Sequence, residues 1–347
     1  MALIFDFSRP LTGKEIPSFV ERRRTLAGQL GASMKSAAKR WEEVEARVGV
    51  HPATALQVRP EFACLSTPIE GAEVSDRRAP DRDLRPSATA VMSGHGLALR
   101  LYLLALGIAQ RQTKPGRRPS FDLPVVGGRK TLGWTDLVAT SAAPAGAGAS
   151  YMNERDKKAR SVRTALRSLE RAGLVWLPGA GSAGSADGLV LLDESGRHQV
   201  GDPVRYRVPR ADEPVFTLPL GFLTNGWIHA LHDSEIAVLL MLACGRLSHP
   251  EAENYDVRPE EVAIPADTRL RYYGLHRDPF SRARKTLEWF GLIEVREVGR
   301  YDSGRAEDSR LALHRMKLLP AGFDEPATES MLTAISRQLD RVSSRAS

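Results

Sequence analysis

One phrase occurs twice in this chain, and it dictates the local structure around both copies. Residues 157–175 read KKARSVRTALRSLERAGLV, and residues 277–293 read RDPFSRARKTLEWFGLI. Each is a basic helix that closes on Leu-Glu, two residues, then Gly and two aliphatics. The first copy runs Leu169-Glu170 to Gly173-Leu174-Val175, the second Leu287-Glu288 to Gly291-Leu292-Ile293. The Gly falls where a helix has to stop, because Gly alone takes the left-handed backbone of that position without strain. The aliphatic pair behind it starts a strand. Each copy therefore predicts helix, tight stop and β-hairpin, and the duplication argues for two copies of one structural unit.

The chain around these copies is long enough, at 347 residues, for two or three domains with real cores. Its net charge of +7 and pI near 9.6 favour a polyanionic partner. The two cysteines, Cys64 and Cys244, are too few for a disulfide framework or a zinc knuckle. The first ten residues, MALIFDFSRP, lack the basic and long apolar regions of a secretion signal. The apolar runs Leu97–Ile108 and Ile236–Ala243 are too short to span a bilayer. The expectation is a soluble, cytoplasmic, nucleoid-associated protein with no membrane partner. Abundant Arg, Ala and Gly suit a GC-rich bacterial genome.

Periodicity divides the chain into four parts. Residues 1–92 form an N-terminal helical extension and linker. Within it, 14–48 predict a helix whose Ala27, Leu30, Met34, Ala37, Trp41, Val44 and Val48 make a seam, for packing on its own domain or for a homodimer. Arg22, Arg23 and Arg24 read as a solvated face, and 50–86 as linker. Residues 93–212 form the first unit: a buried helix over Leu97–Ile108, a strand at Leu123–Val126, a helix around Trp134–Thr140 and the basic helix over 153–172. Its hairpin uses Leu174–Leu177, Leu189–Leu192 and Val204–Val208 around a Gly/Ser loop. Residues 213–323 form the second unit. An Asn225-Gly226-Trp227 turn leads to a helix capped by Asp233 or Ser234, with Ile236, Leu239, Leu240 and Ala243 buried. A helix over Ala266–Tyr273 follows, then the second basic helix from Pro279 with Asp278 as cap, and a hairpin pairing Ile293–Val298 with Leu311–Leu318. Residues 324–347 form a C-terminal helical tail, a docking or pairing helix. Helices leading into a basic helix and then a hairpin make a winged helix. The predicted fold is mainly α with small β-hairpins (α+β), two winged-helix domains in tandem.

The chemistry follows from the basic helices. The major groove of B-DNA admits one α-helix, and the planar fork of Arg meets the O6 and N7 of guanine together. Ser161, Arg163, Thr164 and Arg167 take outward positions on the first basic helix and are its candidate base readers. Lys157, Lys158 and Arg160 suit phosphates, which hold register without reading sequence, and Arg171 is a further DNA-binding candidate off the buried face. On the second helix Ser281, Arg282 and Lys285 face outward, Arg284 lies at the rim, and Arg269 and Arg271 sit on the helix before it. Arg300, Arg305 and Arg310 stand in the second hairpin loop, where an Arg reaches the negative minor groove.

Nothing in the chain carries catalysis. Its eight histidines form no HEXXH pair and no His-hydrophobe-His triplet; His229 and His232 lack a third metal ligand and read as surface or capping residues. A GxxxxGK[ST] phosphate loop is absent, and the Gly-rich 179–188 has no strand-to-helix context. The expectation is a binder, not an enzyme, with no cofactor and no metal.

The two-unit pattern over about residues 95–320 resembles the tandem winged-helix (RepA-like) replication initiators of plasmids and mobile elements, here of an actinobacterial kind. The resemblance rests on Arg163–Val175 with its hairpin, Asp278–Ile293 with its hairpin, and the apolar helix after Asn225-Gly226-Trp227. It implies a sequence-specific double-stranded DNA-binding protein whose two basic helices engage successive major grooves of repeated origin sites. The N-terminal 90 residues and the 141–150 insertion depart from a minimal initiator. A transcriptional regulator of the same fold and a winged-helix protein-docking module are the competing expectations.

Overall fold

The computed structural model describes residues 11–45, 54–70, 77–92, 96–128, 131–140, 153–178, 189–199, 201–248, 258–297 and 314–346. The chain opens with helices α1 (Ile16–Ala27) and α2 (Gln29–Glu45), strand β1 (Ala55–Val58) and the single turns α3 (Pro60–Ala63) and α4 (Ser87–Ala90). Helix α5 (Ala98–Gln112), the turn α6 (Trp134–Leu137) and helix α7 (Glu154–Arg171) follow, with strands β2 (Val175–Trp176) and β3 (Val190–Leu191) behind α7. Then come β4 (Phe216–Pro219), the turns α8 (Gly221–Thr224) and α9 (Trp227–Ala230), and helix α10 (Asp233–Ser248). The last part holds β5 (Val262–Ala263), α11 (Ala266–Tyr273), α12 (Arg277–Trp289), β6 (Ile293–Glu297), β7 (His314–Leu318) and α13 (Ala327–Ala346). The architecture is mixed α with small antiparallel sheets: β1 with β4, β2 with β3, and β5-β7-β6 with β7 in the middle.

Two helices carry the centre. Leu101 to Gln110 of α5 are buried on every side, as are Ile236 to Cys244 of α10, and a helix that is apolar all round belongs inside. One contiguous core runs from Leu26 and Trp41 through Leu104, Leu166, Leu240 and Leu287 to Ile335. Each Leu buried so completely contributes about 1.5–3 kcal/mol relative to an exposed one. Gln110 is polar but satisfied: its amide donates to the Gln57 oxygen (2.6 Å) and the Tyr206 hydroxyl (3.0 Å) and accepts from the Gln57 N–H (2.9 Å).

The predicted N-terminal extension is woven into this core. Its helix breaks at Gly28 into α1 and α2, and Leu26, not Ala27, is the buried residue at the break. Met34, Ala37, Trp41 and Val44 do form a stripe, but it packs inside the same chain. Arg22, expected on a solvated face, is 9% exposed in its side chain and forks onto Glu235 of α10 at 2.7 and 2.6 Å. The linker expectation for 50–86 also needs correction, because 54–63 hold β1 and α3. Leu56 and Val58 alternate inward, and β1 pairs with β4 in the register Leu56↔Leu218. Arg59 secures the junction, its N–H and guanidinium both bonded to the buried Glu194 carboxylate (2.9 and 2.6 Å). Four residues are too few to announce a strand by period alone.

Smaller differences have local causes. Leu123–Val126 is no strand, since the carbonyls of Pro124 and Val125 are taken by the N–H groups of Trp134 and Thr135 at the head of α6. The strand-like pairing lies earlier, where Gly116 and Arg117 exchange hydrogen bonds with Val208 (2.7 and 3.0 Å). The turn α6 stops at Leu137, short of Thr140. Helix α10 starts at Asp233, with the Glu235 carboxylate accepting from the His232 N–H (2.7 Å), so neither Asp233 nor Ser234 is its cap. Helix α12 starts at Arg277 with His276 in the cap position, which puts Asp278 and Pro279 inside its first turn. His229 is buried, not superficial: its Nδ1 accepts from the Ala139 N–H (3.4 Å), and burial, then Arg100 and Lys158, hold the ring neutral with a pKa near 3. The C-terminal tail is one helix, α13, with Ala327, Met331 and Ile335 buried, and it docks against α1 and α9. The Trp227 indole and the Asn225 amide hold its approach by donating to the backbone oxygens of Glu325 and Phe323 (3.1 and 2.7 Å). No helix among the described residues is long and apolar enough to cross a membrane.

Candidate nucleic-acid interface

The duplicated phrase gives duplicated geometry. After α7, the N–H groups of Gly173 and Leu174 donate to the oxygens of Glu170 and Leu169, both at 3.0 Å. After α12, those of Gly291 and Leu292 donate to Glu288 and Leu287, again both at 3.0 Å. The two glycines have φ of +69° and +72°. This is the same Schellman stop twice, with the apolar contact that accompanies it supplied by buried Leu169–Leu174 and Leu287–Leu292. A strand follows each stop: Val175 pairs with Leu191, and Ile293 with Leu318. The second hairpin is braced from the side, where Arg296 of β6 forks onto Glu261 at 2.9 and 2.6 Å.

Helix α7 is oriented by its apolar stripe. Ala159, Val162, Ala165, Leu166 and Leu169 are buried against α5 and α6, and the Asn153 side chain caps the first turn by accepting from the Asp156 N–H (2.8 Å). Arg160, Ser161, Thr164, Arg167 and Arg171 therefore face outward and are exposed. Lys157, Lys158 and Arg163 are half-buried. Burial pulls the Lys158 ammonium below the ordinary lysine value, with Asp136 and Glu154 acting in the other direction. Lys158 thus sits on the flank of α7 that meets α6.

Helix α12 is held in the same manner by Phe280, Ala283, Thr286 and Leu287, all buried. Arg277, Ser281 and Arg282 are exposed on its other side. Arg284 is half-buried, its guanidinium 5.8 Å from the Phe280 ring. Lys285 is half-buried too, because α1 lies along this flank: Lys285 Nζ is 2.8 Å from a Glu15 carboxylate oxygen and 4.8 Å from the centre of the Trp289 ring. The Phe19 and Trp289 rings meet at 5.4 Å, and the Arg22 guanidinium lies 5.0 Å from the Phe290 ring. Burial pushes the Glu15 carboxyl up, but hydrogen bonds from Lys285 and Thr12 outweigh it and leave the group below the ordinary carboxylate value.

The two arginines of the preceding helix do not join this surface. Arg269 is 3% exposed and stacks on Phe280 at 4.4 Å. Arg271 is half-buried, bonded to Asp267 (2.7 Å) and turned toward the Ile69 oxygen (3.4 Å). The segment 65–69, expected to be linker, covers α11 through hydrogen bonds from Leu65 and Ile69 to the oxygens of Tyr272 and Arg271. Arg300, Arg305 and Arg310 lie outside the described residues. Two groups stand on the exposed side without having been singled out by sequence. Arg277, the first residue of α12, is exposed like Arg282 five residues on. Trp176 of β2 is 47% exposed with Arg205 against its ring; within a Leu-Val-Trp-Leu run, nothing but strand alternation separates it from its buried neighbours.

Each basic helix presents an outward cationic face, is clamped from behind by an apolar stripe and is followed by a hairpin. Among the described residues, the buried titratable side chains Glu194, His229 and Glu235 are engaged in internal hydrogen bonds. No family model, curated protein or solved structure matches the chain.

Proposed function

We propose that this chain binds double-stranded DNA through two winged-helix units and acts as a replication initiator of a plasmid or integrative element. The observation that carries the reading is the repeated helix, Schellman stop and antiparallel hairpin at α7–β2–β3 and α12–β6–β7. In its favour, the elements of the second unit run α10, β5, α11, α12, β6, β7 with β7 between β5 and β6, the order expected of a winged helix. The first unit follows the shorter series α5, α6, α7 and hairpin, and the Gly116–Val208 pairing stands in for the strand after its first helix.

The side chains on the free faces suit the ligand. Arg160, Arg167 and Arg171 with Ser161 and Thr164 on α7, and Arg277 and Arg282 with Ser281 on α12, combine guanidinium forks for guanine with hydroxyls for phosphate. Lys285, Arg163 and Arg284 contribute from the rims. Initiation, as distinct from promoter control, is drawn from the tandem pairing of two such units and its likeness to plasmid initiators.

The test has two arms. Mapping of bound sites in the host would give sites confined to one origin for an initiator and sites scattered over promoters for a regulator. Supplying the chain in trans would maintain an origin plasmid that lacks its own replication gene. A protein retained on no duplex at low salt would be a docking module instead.

A further inference from the structure

The outer face of the first hairpin carries a different chemistry from the helix it follows. Trp176 pairs with Val190, and Leu192 pairs across the next strand with Arg205. Directly opposed residues of antiparallel strands share a face, as do residues two apart on one strand. Trp176, Val190, Leu192 and Arg205 therefore stand on one side of this small sheet. The Arg205 guanidinium lies 5.9 Å from the centre of the Trp176 ring, within cation–π range. The ring is nevertheless 47% exposed, and it is the one aromatic among the exposed large apolar side chains of the described residues. Two residues beyond Arg205 on the same strand, Arg207 is exposed as well. The loop of this hairpin, GAGSAGSADG over 179–188, contains no basic residue, whereas the second hairpin loop carries three arginines.

We infer that Trp176 and Arg205 form a stacking site for an unpaired nucleobase, so that the first hairpin takes single-stranded nucleic acid. A tryptophan ring gives area for a base face, and arginines at strand spacing, about 6–7 Å for two residues, give charge for the phosphates on either side. Stacking of this kind tolerates any base, because every base has a π-face. A duplex presents no free base face to a ring lying on a sheet. A second copy of the chain fits the patch poorly. Stable interfaces bury about 1,200–2,000 Å², one ring supplies a small part of that, and two arginine-bearing faces repel each other. The site stands apart from the duplex reading, and each is measured on its own probe.

The experiment uses the full chain in fluorescence anisotropy against three probes at fixed moderate salt: labelled dT15, a 15-mer of abasic sites with the same phosphates, and a mixed-sequence 30-bp duplex. Trp176→Ala, Trp176→Phe and Arg205→Ala are compared with the parent chain. The expected result is that the parent prefers dT15 to the abasic strand and that Trp176→Ala removes this preference. The affinity of Trp176→Ala for dT15 falls roughly 5- to 100-fold, the range of one lost stacked base. Trp176→Phe keeps most of it, Arg205→Ala loses several-fold, and duplex affinity stays within about twofold throughout. Melting curves of the variants check that each is folded at the assay temperature. The inference is overturned if the parent binds dT15 and the abasic strand alike or not at all, or if Trp176→Ala leaves dT15 binding unchanged. A change of sedimentation coefficient in Trp176→Ala with dT15 binding intact would likewise overturn it, and would assign the patch to a second copy.

Discussion

The Glu15 carboxylate sits 2.8 Å from the Lys285 ammonium, so the residue at the N-cap of α1 engages a cation of the second basic helix. Both groups are partly exposed, and a pair of that kind is worth about 0.2–1 kcal/mol. If Lys285 also serves a phosphate, Glu15 competes with DNA for it. Glu15→Gln is expected to tighten duplex binding by roughly two- to fivefold at low salt, as read by anisotropy. Unchanged affinity would take Lys285 off the interface.

A second junction lies deeper. Glu235 accepts from Arg22 of α1 at 2.7 and 2.6 Å and from the Thr286 hydroxyl of α12 at 2.6 Å, tying three helices at one carboxylate. Burial alone would raise its pKa, but Arg22 first, with His232 and the hydrogen bonds of Arg22 and Thr286, brings it down to about 2. A carboxyl held below its unfolded value stabilises the fold fully above about pH 4.5, and that contribution fades as pH falls toward 2. The stability difference between the parent and Glu235→Gln, from urea unfolding, should therefore shrink by roughly 2–3 kcal/mol from pH 7 to pH 2–3. A difference independent of pH would contradict the charged, paired state. Arg22→Met, which strands the buried carboxylate, should cost about 3–5 kcal/mol at neutral pH.

The two stop glycines differ in their surroundings. A Cβ at Gly291 meets nothing within 4 Å, whereas one at Gly173 meets the Gly196 carbonyl carbon at 3.1 Å and the Arg197 nitrogen at 3.2 Å. Gly291→Ala should cost the left-handed backbone strain alone, about 1–2 kcal/mol. Gly173→Ala should cost more, since backbone has to move as well. Thermal melting of the two variants side by side gives the order, and the reverse order would refute the packing described at Gly173.

Arg269 and Arg282 separate stability from binding. Arg269 is buried beneath α12 on the Phe280 ring, so Arg269→Ala should destabilise the fold by on the order of 2 kcal/mol and leave the folded fraction able to bind duplex. Arg282 is exposed, and Arg282→Ala should cost about 1–3 kcal/mol at a cognate site with melting unchanged. Melting curves and binding isotherms on the same samples check both.

What could be read in the chain was punctuation. Leu-Glu-x-x-Gly-aliphatic marks both helix stops because a left-handed residue and its apolar clasp are local demands, fulfilled within six residues. The inward sets of α7 and α12 were legible for the same reason: Val162, Leu166 and Leu169, then Phe280, Ala283, Leu287 and Phe290, repeat at helical spacing. Relations across long sequence separations left no such trace. Nothing near Lys285 announces Glu15, 270 positions away, nor does the composition of 50–63 show that Leu56 and Val58 alternate against β4. Arg269 looked like its exposed neighbours, since a basic residue on an amphipathic helix is read by default as solvated. The ring of Phe280 that covers it belongs to the next helix.

The most direct measurement is the salt dependence of duplex binding by the full chain, on a 40-bp duplex selected by the protein from random sequence. The parent is compared with the double variants Arg160→Ala/Arg167→Ala on α7 and Arg277→Ala/Arg282→Ala on α12. If both helices lie in grooves, log affinity falls steeply with log salt, and each pair lowers the slope by up to roughly 0.9 per phosphate contact removed. A flat response in the parent, or a slope that only one of the two helices alters, would contradict two-helix binding.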